Sequence, residues 1–167
     1  MKKKVLVVMG SDSDLPKVEP AIKTLEKLAV PFRVTVASAH RSPDRAREIA
    51  QSARAEGVGV IIAAAGGAHH LGGAMAANTT LPVIALPIAV GTLGGLDALL
   101  SAVQMPGGVP MASVGVDGAK NAALLAAAIL GAFDDDLAQR LEKERLSQSE
   151  GVVLADTRVQ ELLAKRE

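Results

Sequence analysis

Lys4-Val5-Leu6-Val7-Val8-Met9-Gly10-Ser11-Asp12-Ser13-Asp14 is the stretch from which the fold is read. A short, unbroken apolar run predicts a parallel strand buried on both faces. The Gly-Ser-Asp corner ends it. Val18, Ile22, Leu25 and Leu28 then recur at helical spacing, so residues 15–29 are expected as a helix whose first turns Pro16 and Pro20 restrict. The unit is strand, polar corner, helix.

The unit repeats. Residues 31–37 alternate Phe32, Val34 and Val36 as a strand, Ser38 to Arg41 form a corner, and Ser42 (N-cap) with Pro43 (N1) start a helix that runs to about residue 56. Residues 58–64 are another apolar strand, 65–73 a glycine-rich corner, 70–78 a short helix and 81–86 a fourth strand. Glycines and Pro106 bracket a helix over 96–103, and residues 110–116 are a fifth strand, placed at an edge by Pro110. Residues 119–130 are apolar apart from Lys120 and Asn121 and predict a deeply buried helix. From Asp134 charge rises. Residues 134–167 read as one or two amphipathic helices, broken near 147–151, extending an α/β domain of residues 1–133. The alternation calls for a parallel sheet with right-handed crossovers, and such sheets bind ligands beyond their carboxyl ends. All three polar corners follow strand ends. They are expected to meet as one site for a small anion.

Composition narrows the chemistry. Lys plus Arg equals Asp plus Glu at 18 each, so no overall attraction to nucleic acid or an anionic membrane is expected. No Cys means no disulfide or thiolate nucleophile. No Trp or Tyr and two Phe argue against base-stacking platforms and a flavin sandwiched between rings. The basic start is followed by an apolar run too short for a signal segment or a membrane span, so the cytoplasm is the default.

The corners carry distinct chemistry. At Gly10 to Asp14, a close-approaching backbone, first-turn N–H groups and Ser hydroxyls suit phosphate, while Asp14 suits sugar hydroxyls. The same residues suit an ordinary βα turn with a Ser or Asp cap. No Gly-Lys-Ser/Thr or Gly-x-Gly-x-x-Gly pattern is present there. His40 suits proton transfer near neutral pH and Arg41 suits phosphate, although His40 also fits as an element cap and Arg41 as a solvated side chain. In the third corner His69 and His70 are adjacent, which is poor spacing for a metal, and one is expected to face the site while the other packs or is solvated. Residues 104–108 fit a wall over the site or a plain turn. Asp134, Asp135 and Asp136 read as an acidic helix start, with a divalent-metal site the weaker reading.

Taken in order, these residues resemble the phosphoribosylaminoimidazole carboxylase catalytic subunit family of purine biosynthesis. The resemblance spans about residues 4–150 and rests on five blocks. They are Met9-Gly10-Ser11-Asp12-Ser13-Asp14, Ser38-Ala39-His40-Arg41-Ser42-Pro43, Ala65-Gly66-Gly67-Ala68-His69-His70-Leu71, Gln104-Met105-Pro106-Gly107-Gly108-Val109-Pro110, and Asn121-Ala122-Ala123-Leu124-Leu125-Ala126. The glycine block looks like the mutase class, which moves a carboxylate from N5 to C4 of the imidazole nucleotide. The other class carboxylates the free amine with CO2 and typically carries a Gly-Arg-Ser-Asn type of corner. Leu15, His69 and Gly72 depart from the usual Trp, Ala and Pro.

The resemblance implies a flavodoxin-like three-layer αβα sandwich with a five-stranded parallel sheet and a C-terminal helical extension. It implies His40 and His70 as catalytic residues, with His40 moving the proton. Arg41 is implied for the phosphate and Asp14 for the ribose, with Ser11, Gly10, Ser13, Ser38, Gly66, Gly67 and Leu71 completing the substrate contacts. It implies a phosphoribosyl-imidazole substrate, no metal or other cofactor, and a homo-octamer with sites at subunit junctions. Neither nucleic acid nor membrane is an expected partner. The competing readings are the direct carboxylase and a non-catalytic flavodoxin-like nucleotide-binding or receiver module. A receiver would want a phosphorylatable Asp where Ala64-Ala65-Gly66 stands.

Overall fold

The computed structural model describes residues 2–166. Met1 and Glu167, which the expected division of the chain includes, lie outside them. Strands β1 (Lys4–Met9), β2 (Phe32–Val36), β3 (Val58–Ala65), β4 (Val83–Pro87) and β5 (Ala112–Ser113) form one parallel sheet in the order β2-β1-β3-β4-β5. Helices α1 (Leu15–Lys27), α2 (Pro43–Ser52), α3 (His70–Ala77), α4 (Leu96–Val103), α5 (Ala119–Gly131) and α6 (Asp135–Ala164) complete the chain. This is the flavodoxin-like three-layer αβα sandwich expected.

The apolar strands split their side chains between two cores. Val5, Val7, Met9, Val60, Ile62 and Ala64 meet α1 and α5 on one face. Leu6, Val8, Ile61, Ala63 and Ala65 meet α2 and α3 on the other. β1, β3 and β4 are enclosed on both sides, hence their lack of alternation. The strand order reverses at β1, because β2 and β3 flank it on opposite sides. Met9 is level with both Val36 and Ala64, so the corners after β1, β2 and β3 emerge side by side at one sheet edge.

Several expectations shift. α1 carries Pro20 inside it rather than only at its start, since one missing N–H in the second turn costs a single bond. α2 ends at Ser52, and the chain turns back so that the Val58 N–H donates to the Ala53 carbonyl at 3.0 Å. β5 shrinks to two residues at the edge. α6 runs unbroken through Ser147 and Gly151 for 30 residues. One interior Gly costs only about 1 kcal/mol and does not stop a helix with good formers on either side. α5 is not buried all round. Its alanine stripe at Ala119, Ala122, Ala123, Ala126 and Ala127 is covered, whereas Leu124, Leu125 and Ala128 line a groove of about 640 Å³ against α6. Among the described residues no helix is long and apolar enough to cross a membrane.

Candidate active site

The first corner is built by its own short side chains. Ser11 caps a 3-10 turn at Asp12–Asp14, and Asp14 closes the box by accepting the Ser11 N–H at 3.2 Å. The capping reading of this loop is therefore real, and it leaves Asp14 nearly buried beside Gly10 at the floor of a cleft. Burial pushes the Asp14 carboxyl up, above its ordinary range. The Ser11 N–H and the Lys17 and Arg41 charges oppose that, and Asp12 reinforces it.

The second corner is locked by reciprocal bonds. Ser42 Oγ donates to the Ser38 carbonyl at 3.1 Å and accepts the Ser38 N–H at 3.0 Å, while the Arg41 N–H donates to Ser38 Oγ at 3.1 Å. Ser42 stands at the N-cap position with Pro43 next, as expected, but its side chain makes no capping bond to the helix. It fastens the corner instead. Arg41 Nη2 donates to the Gly10 carbonyl at 3.2 Å, joining the second corner to the first.

The third corner separates the two adjacent histidines. His69 adopts a left-handed conformation (φ 45°) that turns its ring inward, where Nδ1 lies 2.8 Å from the Ala65 carbonyl. Its Nε2 is buried with no hydrogen-bond partner. Burial holds this imidazole below its ordinary value, against the pull of the Ala65 bond, with His70 adding to the depression. His70 begins α3 and turns outward, placing its Nδ1 2.6 Å from His40 Nε2. Ser101 of α4 donates to the Ala68 carbonyl and braces the corner from behind.

The corners enclose a cleft of about 470 Å³ lined by Gly10, Ser11, Asp14, Ser38, Ala39, His40, Arg41, Ala65, Gly66, Gly67, His70, Leu71 and Val90. Every expected site residue but one is on that wall. Ser13 is exposed and spends its hydroxyl on Ser11 Oγ at 2.9 Å. Residues 104–108 do not line the cleft; Met105 lies instead near Gly73 of α3. Sequence reasoning missed Val90. It stands on a fourth corner, after β4, over Gly66, where a Cβ would overlap its Cγ2. The available signal was the cluster Gly91, Gly94 and Gly95, all at positive φ, following a strand. Asp134 caps α6 by accepting the Leu137 N–H at 3.0 Å, as a helix-start reading requires. Among the described residues no group of three His, Asp or Glu side chains is placed to hold a metal.

The arrangement offers a cation and hydroxyls at one end, a carboxylate on the floor, and paired imidazoles against a glycine wall. It can bind a phosphorylated sugar and move a proton at a group lying over the glycines.

Residues 4–151 match the AIR carboxylase family. The N5-carboxyaminoimidazole ribonucleotide mutase of Bacillus subtilis is 52% identical over 155 residues, covering 92% of this chain and 96% of that protein. The protein of the same name from Thermotoga maritima is 50% identical over 147 residues, covering 87% and 86%. The phosphoribosylaminoimidazole carboxylase of Saccharomyces cerevisiae is 48% identical over 92% of this chain, which spans 27% of that longer protein. The crystal structure of Treponema denticola PurE superimposes with a TM-score of 0.85 at 26% identity, over 93% of this chain and 98% of that one. With the sheet order and the residue blocks, these likenesses establish that the chain belongs to the AIR carboxylase family.

Proposed function

We propose that this protein is an N5-carboxyaminoimidazole ribonucleotide mutase of purine biosynthesis, an isomerase. It converts the N5-carboxylated nucleotide to 4-carboxy-5-aminoimidazole ribonucleotide. The observation that carries the reading is the His40–His70 pair, 2.6 Å apart, beside the glycine corner and within the same cleft as Arg41, Ser11 and Asp14. The identity to relatives bearing the mutase name supports it.

In this reading Arg41, the Ser11 hydroxyl and the corner N–H groups hold the phosphate, and Asp14 accepts from ribose hydroxyls. Gly10, Ser38, Gly66, Gly67 and Leu71 shape the cleft around the ring; Ser13 supports Ser11. The carbamate N–C bond breaks with its electron pair returning to nitrogen, which takes a proton from His40, and CO2 is released in place. C4, electron-rich like an enamine carbon, attacks that CO2 and forms the C–C bond. His40 then removes the C4 proton, so no proton is consumed overall. Water must be kept out long enough for CO2 to recombine. A homo-octamer in the cytoplasm, with residues 134–167 extending the catalytic domain of 1–133, completes the reading. The partly uncovered α5 and the long α6 favour assembly.

Carboxylate labelling tests it. With a 13C-carboxylated N5 substrate in unlabelled bicarbonate, the mutase retains 13C in the product. Turnover only of the unsubstituted amine, dependent on added CO2, would make the protein the direct carboxylase. A light-scattering mass of a single chain would remove the octamer.

A further inference from the structure

Beside the cleft lies a bonded pair that the chemistry above does not use. Lys17 Nζ is 2.6 Å from Asp117 Oδ2 and also donates to the Ala89 carbonyl at 2.8 Å. Asp117 Oδ1 accepts the Ala89 N–H at 2.9 Å. One ion pair, from α1 and from the turn before α5, thus takes both backbone polar groups of a single residue. Asp117 is left-handed (φ 54°), a conformation Asp tolerates better than most residues, and its own N–H donates to the Pro87 carbonyl at 2.8 Å. Its carboxylate is aimed by the backbone.

The next residue is Val90. Its side chain stands over Gly66 and walls the cleft, yet it is 42% exposed, and a chain with glycines at positive φ follows. Little core packing fixes it, so its place follows from where Ala89 is held. A half-exposed ion pair alone would contribute little. Here each partner also bonds a backbone group, and charge-assisted bonds of that kind are the stronger sort.

We propose that Lys17 and Asp117 are positioning residues: their staple on Ala89 holds Val90 as the wall that keeps released CO2 against the glycine corner. The inference rests on the mutase reading. On the Asp117 side it makes a defined split, because that carboxylate bonds only Lys17 and Ala89, whereas the Lys17 charge also acts on Asp14. Losing it affects carboxylate retention and turnover more than substrate affinity.

The experiment compares wild type with Lys17→Met, Asp117→Gly and Lys17→Arg. Glycine removes the Asp117 carboxylate while accepting its φ. Amide exchange is followed over residues 88–95, with β1 and β3 as the folding control. Exchange at Ala89 and Val90 is expected to rise by about tenfold or more in Asp117→Gly and to stay near wild type in Lys17→Arg. On the 13C-carboxylated substrate, Lys17→Met and Asp117→Gly are expected to lose label to unlabelled CO2 and to drop in kcat, with KM within about twofold in Asp117→Gly, which keeps the Lys17 charge near Asp14. Unchanged exchange, or full label retention despite lower kcat, would overturn the proposal. A wild type inert on the carboxylated substrate would instead sink the mutase reading, and the exchange arm would still decide the staple.

Discussion

His40 Nε2 lies 2.6 Å from His70 Nδ1, with ring centroids 4.6 Å apart and planes at 61°. At that distance one nitrogen donates and the other accepts, so the facing atoms hold one proton between them. His40→Asn, which keeps hydrogen bonding but not proton transfer, is expected to lower kcat by about 10²–10⁴. His70→Asn is expected to cost less, because it withdraws a partner and leaves the base. Equal losses in the two variants, with substrate binding intact, would show that the pair works as a unit and that His40 is not the sole proton carrier.

Among the described residues Arg41 is the only Lys or Arg lining the cleft, and it is bonded to the Gly10 carbonyl. Arg41→Met is expected to raise KM by about tenfold or more, the size of a lost charge-assisted bond, with a smaller change in kcat. Steady-state kinetics distinguishes this from a loss confined to kcat, which would remove Arg41 from phosphate binding.

Gly66 leaves no room for a side chain beneath Val90. Gly66→Ala is expected to push Val90 and its loop outward, with overpacking of about 1–3 kcal/mol. The expected signature is faster amide exchange over residues 88–95 and loss of 13C retention. A variant that retains label like wild type would show that Val90 is not the wall.

His69 makes stability pH-dependent with a defined sign. Burial is the largest cause holding it below its ordinary value of 6.5, so the unfolded chain takes up the proton first as pH falls. Its contribution is complete above 6.5 and is lost as pH falls from there toward the folded value. The Tm should therefore drop as pH falls below 6.5, and His69→Ala should flatten that slope. An unchanged slope in the variant would assign the effect elsewhere.

Glu144 fastens α6. Its buried carboxylate meets Lys27 at 2.5 Å, Lys120 at 3.4 Å and Gln148 at 3.3 Å. The Lys27 bond is the chief cause of a pKa below the ordinary 4.5. Its contribution is therefore full above 4.5 and is lost as pH falls through the depressed folded value. Glu144→Gln should lower Tm at neutral pH and weaken the acid-range decline. An equal decline in the variant would exclude Glu144 as its source.

The strand, corner and helix pattern was legible because it is local. Val5 to Met9 must be buried on both sides, Gly10 must turn the chain, and Pro43 suits a first helical position. His40 and Arg41 stood out because such side chains at the end of an apolar strand need a purpose. Other features depend on partners far away in the chain. Ser42 reads as a cap until Ser38 is seen to bond it. That the Ser13 hydroxyl turns to Ser11 is likewise not written in the order of the corner. Residues 104–108 fit a wall or a plain turn until the cleft is seen to be lined without them, with Val90 on its edge.

By itself, then, the sequence determined the parallel sheet and the three polar corners, since burial periodicity and turn chemistry act over a few residues. It also determined the family, through several blocks in fixed order. The family resemblance pointed to His70, but only the tertiary structure showed how the two adjacent histidines part, because one left-handed residue turns His69 inward and His70 outward. It alone brought His70 to His40 and clasped Ala89 between Lys17 and Asp117, 100 residues apart. Such long-range pairs are set by strand order and packing, and residue spacing along the chain carries no record of them.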